Sequence, residues 1–191
     1  MAKNDHRDAF EKIISSTLSR VLDLLKFAEA KNAALLTFSS AWIIATINLL
    51  STDRTIPDSL ATALKIALIL FILAALVAMW SFLPKLKLDL FHRDPLQPKN
   101  LLYFGDIATF DATAYKKRVL ERYMSADGPP TTENYLDDLM IQVAVNSKIA
   151  KRKFFIFNIG AGLVVMALIT IAIPFLGVGI RWILVRLRVA G

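Results

Sequence analysis

The sequence contains no cysteine and only two histidines, His6 and His92, among its 191 residues. The absence of cysteine excludes disulfides, zinc–thiolate sites and a cysteine nucleophile. One histidine lies close to the N-terminus and the other lies in a proline-containing loop, which argues against a histidine-based metal site. We therefore expect no metal site.

Common catalytic and phosphate-binding motifs are also absent. The sequence has no GxGxxG motif, no Walker loop and no HExxH zinc motif. Asp137 and Asp138 are adjacent carboxylates, but neighbouring positions on a helix do not face each other. We interpret this pair as a solvated helix start. We expect no catalytic residues and no cofactor, and we predict that the protein is not an enzyme.

Apolar residues are abundant and unevenly distributed. They make up 55% of the chain, and the mean hydropathy is +0.51, whereas soluble domains are typically about 45–50% apolar. They form three blocks separated by charged stretches, which is typical of membrane proteins. The blocks predict a transmembrane hairpin over 33–84, with spans at about 33–50 and 59–83, and a third transmembrane helix over 154–176. Pro57 is expected to start the second helix.

The N-terminal segment, residues 1–32, is predicted to be a cytoplasmic amphipathic helix. It lacks the continuous apolar core of a signal peptide, and no glycine or proline separates it from the first span. We expect one continuous helix. Its apolar positions recur at helical spacing and include Phe10, Ile13, Ile14, Thr17, Leu18, Val21, Leu24, Leu25 and Ala28.

The distribution of positive charge predicts the topology. The net charge is +7, and most basic residues outside the N-terminus lie in 85–153, whereas the loop between the first two spans offers only Arg54. Because cytoplasmic loops of membrane proteins are enriched in Lys and Arg, we expect the N-terminus and 85–153 to be cytoplasmic, with the spans in a bacterial inner membrane. The same rule accounts for the basic charge without nucleic-acid binding. Pro95 and Pro98 predict an extended connection.

The rest of the hydrophilic segment is predicted to be helical. Asp111 is a suitable N-cap for a helix ending near Met124, and residues 127–130 break the chain. Thr131 or Thr132 then opens a helix that continues into the third span. The expected fold class is an all-α membrane protein with three transmembrane helices and a small cytoplasmic helical bundle. Extensions of the first and third spans form that bundle.

Two features of the spans leave alternatives open. Lys65 lies about one and a half turns inside the second span, where it either marks a functional site or snorkels to the nearby interface. The tail, residues 177–191, is basic and amphipathic and follows Pro174, which ends or bends the third span. We expect the tail to lie in a membrane interface, and a re-entrant or fourth partial span is the alternative.

The run NLLYFGDIA, residues 100–108, combines two aromatics, a glycine and an acid. It is either a turn that packs aromatic side chains on the bundle or a ligand loop in which aromatics stack on a base and polar groups bind its edge. Nearby cations could then neutralise a phosphate. The candidate ligand-binding residues are Asn100, Tyr103, Phe104, Asp106, Arg118, Arg122 and Lys148.

Several segments together resemble the membrane-spanning effectors of the Pycsar anti-phage system. They are the entry to the first span at 28–33, the run 100–108, the helix containing Tyr115, and the stretch from Tyr135 through Lys153. The resemblance covers about residues 20–175 and implies an antiviral role. A pyrimidine nucleotide cyclase would make cyclic CMP or cyclic UMP, and the effector would respond by impairing the inner membrane, causing abortive infection.

The resemblance implies a cyclic pyrimidine nucleotide as activating ligand, the cyclase as functional partner and membrane lipid as target. We also expect a homo-oligomer, because one small ligand per subunit supplies limited free energy for a conformational change. Two other functions stay open. One is a membrane-anchored scaffold without nucleotide binding, and the other is a membrane enzyme with a site in 89–106.

Overall fold

The computed structural model describes residues 2–52, 56–83, 100–124 and 131–189, and the regular structure of this part of the chain is helical. Three of its helices are long and apolar enough to span a membrane, with mean hydropathies of 1.7, 2.7 and 2.5 in their most apolar windows. The predicted all-helical class with three potential spans is therefore confirmed. The helices are α1 (Ala2–Leu50), α2 (Asp58–Phe82), α3 (Phe104–Ile107), α4 (Ala112–Tyr123) and α5 (Thr131–Val189).

The helix boundaries follow local sequence signals. The continuous first helix predicted from the lack of glycine and proline is present as α1. Helix α2 begins directly after Pro57. Asp111 caps α4 as predicted, because its Oδ1 accepts hydrogen bonds from the backbone amides of Thr113 and Ala114 at 2.9 and 2.8 Å. Helix α5 starts at Thr131, one of the two predicted positions.

Helix α5 continues through Pro174 to Val189, so of the two outcomes expected at Pro174 the helix does not end there, and a bend stays a prediction. A proline removes one amide donor, and helices in an apolar environment accommodate this loss through local adjustment and neighbouring groups. The expected interfacial position of the tail stays a prediction, because the side chains from 178 onward lie outside the described part of the chain. Three other predicted features also lie outside it: the extended connection at 95–98, the break at 127–130 and Arg54.

The chain divides into two compact units. The first consists of the described residues among 1–27 and 84–152, and the second of those among 28–83 and 153–191. Helices α1 and α5 each contribute residues to both units. In the first unit, Arg7 of α1 forms a 2.6 Å ion pair with Glu133 of α5.

The second unit has a core of small and apolar residues from α1, α2 and α5. The Trp42 ring of α1 stacks on Phe71 of α2 with ring centroids 5.5 Å apart. Side chains on the outer faces of these helices, such as Ile69 and Ile173, are exposed and apolar, as expected for helices surrounded by lipid. The buried core cluster contains Leu35, Ala67, Phe71, Ala74, Ala78, Val164 and Ala167.

Polar contacts join the same three helices at one end of this core. Lys153 Nζ of α5 donates to Glu29 Oε1 of α1 at 2.9 Å and to the Ser81 carbonyl of α2 at 3.3 Å. Lys65 lies on the exposed side of α2. Functional charges within spans usually face the bundle interior, so this position favours the snorkelling interpretation of Lys65.

Candidate functional site

The loop before α3 is organised around Asn100, which is buried in the first unit. Its backbone amide donates to Asp106 Oδ2 at 2.8 Å, and its Oδ1 accepts from the Leu102 amide at 2.8 Å. Its Nδ2 donates to the backbone carbonyl of Asp138 in α5 at 2.7 Å. The Asn100 side chain thus uses both the oxygen and the nitrogen of its amide to close the loop and attach it to α5, as Asn side chains in turns commonly do.

Tyrosines fix the rest of the loop. Tyr103 lies so close to Gly105 that a Cβ at position 105 would be 2.6 Å from the Tyr103 ring. A glycine at this position therefore lets the ring pack against the backbone of α3. Tyr115 of α4 donates its hydroxyl to the Leu101 carbonyl at 3.1 Å, which attaches the loop to α4.

A buried ion pair joins α4 to α5. The Asp138 side chain is 1% exposed and accepts two hydrogen bonds from Arg122, from Nε at 2.9 Å and from Nη2 at 2.8 Å. The hydroxyl of Tyr123 donates to the same carboxylate. Asn134 Nδ2 donates to the Arg122 carbonyl at 2.6 Å. The two parallel hydrogen bonds from Arg122 to Asp138 form a bidentate pair, which is the strongest form of carboxylate recognition by arginine.

The environment of this cluster shifts two ionisation equilibria. The hydrogen bonds to Asp138 raise the pKa of Arg122 above its ordinary value, although burial opposes the shift. Burial raises the pKa of Tyr123, and the hydrogen bond to the Asp138 carboxylate raises it further. Arg122 is therefore held as a cation and Tyr123 as a neutral donor around one buried carboxylate.

The interpretation of Asp137 and Asp138 as a solvated helix start is wrong for Asp138. Asp137 is 55% exposed, with Arg122 Nη2 3.2 Å from its carboxylate, whereas Asp138 is buried beside Leu139. Asp138 is buried because it lies next to the apolar stripe of α5, where Arg122 and Tyr123 at the end of α4 bind its carboxylate. A signal was available, since Leu136 and Leu139 flank the acidic pair in the sequence.

The candidate ligand residues fall into distinct places. Asn100 and Asp106 contact each other in the loop, and Arg122 is bound by Asp138. Phe104 opens α3, and its side chain lies outside the described part. Lys148 is exposed on α5, about 15 Å along the helix axis from Asp138, given the helical rise of 1.5 Å per residue. A ligand-binding role for the whole set stays a prediction.

Arg118 lies elsewhere, in a shallow open depression of about 360 Å³ on one side of α4. Its guanidinium is 3.8 Å from Glu121, and Lys117 Nζ is 3.9 Å from the same carboxylate. These exposed pairs are weak and leave both cations accessible to an anion. The residues lining the depression are Phe110, Ala114, Lys117, Arg118 and Glu121.

The depression therefore offers an aromatic ring, two cations and a carboxylate within one small surface. An aromatic ring can stack on a base, cations can bind a phosphate, and a carboxylate can accept a hydrogen bond from a base or a ribose hydroxyl. Sequence reasoning singled out Arg118 but not Phe110 or Lys117, which line the same depression. Lys117 and Arg118 follow Ala114 by three and four residues on α4, and this helical spacing was the available signal.

Comparison with known proteins identifies the chain's relatives. A family model described as the Pycsar effector protein domain matches residues 13–180. The Pycsar effector protein RsPycTM of a Rhizobium species is 41% identical over 175 residues, which cover 92% of this chain and 99% of that protein. No solved structure gives a significant match. The family match begins within α1, runs through α2 and most of α5 and covers residues of both units, and the chain belongs to the Pycsar transmembrane effector family of anti-phage defence.

Proposed function

We propose that this effector responds to cyclic CMP or cyclic UMP by impairing the integrity of the bacterial inner membrane, which stops the infected cell before phage matures. The observation that carries the proposal is that one family match runs from residue 13 to residue 180, through the polar first unit as well as the apolar helices. A pyrimidine nucleotide cyclase is the proposed functional partner. The effector itself acts without catalytic turnover.

The proposed nucleotide site is the depression on α4. Phe110 would stack on the pyrimidine, and Lys117 and Arg118 would bind the cyclic phosphate. Glu121 would accept a hydrogen bond from the base or the ribose hydroxyl. Asn100, Asp106 and Arg122 would act indirectly, because their polar groups already hold the loop and α4 in place.

The proposed topology places the N-terminus and residues 85–153 in the cytoplasm, where a cyclic nucleotide is made. The first unit would be the cytoplasmic helical bundle. Because α1 and α5 are continuous helices, a change in the first unit would act on the membrane through the same two helices. Moving a population from 1:99 to 99:1 needs about 5.5 kcal/mol of differential binding, so we also propose that subunits oligomerise and combine several binding events.

The test is calorimetric titration of the purified protein with cyclic CMP and with cyclic UMP. We expect one of them to bind and the double variant Lys117→Gln/Arg118→Gln to bind at least about 100-fold more weakly, since each of the two cation–phosphate contacts contributes about 1.5–3 kcal/mol. Lys116→Gln is the matched control, because Lys116 is exposed on the same helix but does not line the depression.

The alternative is a membrane-anchored scaffold that binds a partner protein. It predicts no heat of binding with either nucleotide and no loss of membrane potential when the protein is expressed with a cyclase. If both nucleotides fail to bind the wild-type protein, the effector mechanism proposed here is wrong. Binding that is equally strong in the double variant would instead place the nucleotide elsewhere.

A further inference from the structure

Three polar side chains form a line on the buried face of α1 in the second unit. Asn32, Ser39 and Thr46 are spaced seven residues apart and are at most 1% exposed. A seven-residue spacing keeps side chains on nearly the same face of a helix. The line runs for about 21 Å along α1, at 1.5 Å per residue, which is most of the roughly 30 Å thickness of a hydrocarbon core.

Most polar atoms of this line have no hydrogen-bond partner in the part of the chain that the structure describes. No described group bonds to Asn32 Oδ1, Ser39 Oγ or Thr46 Oγ1, and Ser81 Oγ of α2 is in the same situation. The Asn32 amide nitrogen is engaged, since its Nδ2 donates to the carbonyls of Ala28 and Lys153 at 2.8 and 3.2 Å. Buried polar groups are nearly always hydrogen-bonded, so this line needs an explanation.

Other hydroxyls on the same helices show that helical position alone is not the cause. Thr37 of α1 is exposed and donates to the Ala33 carbonyl at 3.1 Å. Thr170 of α5 is half-buried and donates to the Met166 carbonyl at 2.8 Å. A serine or threonine in these helices can therefore satisfy its hydroxyl within its own helix. Ser39 and Thr46 do not, and their oxygens are left toward the interior.

Helices α1, α2 and α5 approach one another closely beside the line. Leu35 lies between Asn32 and Ser39 and belongs to the same buried cluster as Ala67 and Ala74 of α2. Gly160 of α5 approaches so closely that a Cβ there would be 2.6 Å from Leu35 and 3.6 Å from the Ala74 carbonyl. Small residues such as Ala67, Ala74 and Gly160 allow helix backbones to approach closely.

We propose that Asn32, Ser39 and Thr46 line the path by which water and small ions cross the membrane when the effector is activated, and that tight packing of α1 against α2 and α5 closes this path at rest. This inference rests on the proposed membrane-permeabilising function. Hydroxyl and amide groups both donate and accept hydrogen bonds, so they can replace the hydration of a cation or an anion. The line carries no charge, which predicts little selectivity by sign.

The first test uses the absence of cysteine, because a single introduced thiol is then unique. Ser39→Cys is placed in proteoliposomes and treated with a charged, membrane-impermeant thiol reagent, with and without cyclic CMP or cyclic UMP. If activation moves the population from 1:99 to 99:1 open, the labelling rate rises about 100-fold. Thr37→Cys is the control, and its lipid-facing thiol should stay unlabelled in both states.

The second test measures ion flux in the same proteoliposomes. Thr46→Val and Ser39→Ala remove one hydroxyl each while keeping a similar size, and each should lower nucleotide-triggered flux about fivefold, as expected for loss of one hydrogen bond to the permeating species. Thr37→Val should leave flux unchanged. Nucleotide binding by each variant is measured in parallel, to show that the first unit is intact.

The outcomes separate the two proposals. If the wild-type protein gives no flux with either nucleotide, the proposed function fails. If the wild-type protein conducts but Ser39→Cys stays unlabelled, or if Thr46→Val and Thr37→Val conduct equally, the polar line does not form the path. Activated labelling of Ser39→Cys together with reduced flux in Thr46→Val supports the inference.

Discussion

Replacing Asp138 by asparagine should destabilise the attachment of α4 to α5 far more than replacing its neighbour. Asp138→Asn keeps the shape of the side chain but removes the charge that binds Arg122 through two hydrogen bonds of 2.8 and 2.9 Å. It also replaces one of the two acceptor oxygens by an amide donor. The Arg122 side chain, which is 22% exposed, then loses its main partner.

The size of the effect follows from this geometry. Removing one partner of a buried ion pair typically costs about 3–5 kcal/mol. Arg122 is partly solvated, and Asp137 lies 3.2 Å from its Nη2, so we expect the lower end, about 3 kcal/mol. Asp137→Asn removes only an exposed partner and should cost less than about 1 kcal/mol. The two variants differ by one position and change the same charge.

Hydrogen exchange in lipid nanodiscs measures the difference locally. Amides of α4 exchange when the helix opens, and a loss of about 3 kcal/mol corresponds to roughly 100-fold faster exchange in Asp138→Asn. Amides of α2 serve as an internal reference, because α2 belongs to the other unit. Equal exchange rates of α4 in Asp138→Asn and Asp137→Asn would refute the assignment of Asp138 as the buried partner of Arg122.

Two further predictions follow from the described contacts. Burial and the hydrogen bond to Asp138 raise the pKa of Tyr123, so the stability that its neutral hydroxyl contributes is complete below about pH 10 and is lost as the pH rises through the pKa of the folded state. Tyrosinate absorbance should therefore show a late-titrating tyrosine that the variant Tyr123→Phe lacks. A titration that is unchanged in Tyr123→Phe would contradict this. Gly160→Ala forces Leu35 to move and should be about 1–2 kcal/mol less stable than Gly162→Ala, which meets no neighbour, by thermal unfolding in detergent. Equal melting temperatures would show that Leu35 yields freely.

Much of the helical layout could be predicted, because its signals are local. Asp111 supplies a cap for α4, Pro57 marks the start of α2, and the lack of glycine and proline before residue 50 allows one long α1. Apolar runs of sufficient length define the three potential spans. Pro174 left two outcomes open, because the sequence alone does not show whether a helix ends at a proline in an apolar environment or continues past it.

The candidate site was less predictable, because it depends on which faces meet. Arg122 has the right chemistry for a phosphate, yet the burial of Asp138 makes it a partner of that carboxylate. Asn100 was identified from its place in the loop, and the structure uses its amide to close that loop. Such pairings join residues distant in sequence, and composition and spacing do not encode them.

The polar line of α1 was hidden for a related reason. Serine and threonine are common in transmembrane helices, so Ser39 and Thr46 in an uncharged span do not point to a special role in the sequence alone. Only the packing shows that both lie on the buried face and that their hydroxyls have no partner in the described part of the chain. A periodicity of seven becomes informative once that face is known.

Impairment of the membrane is tested most directly by release of a trapped small ion, such as potassium, from liposomes that contain this protein alone. Cyclic CMP and cyclic UMP are added separately to preformed proteoliposomes, and protein-free liposomes and cyclic AMP serve as controls. We expect rapid release with at least one cyclic pyrimidine nucleotide and none in the controls. No release with either nucleotide at any protein density, or equal release without nucleotide, would contradict it.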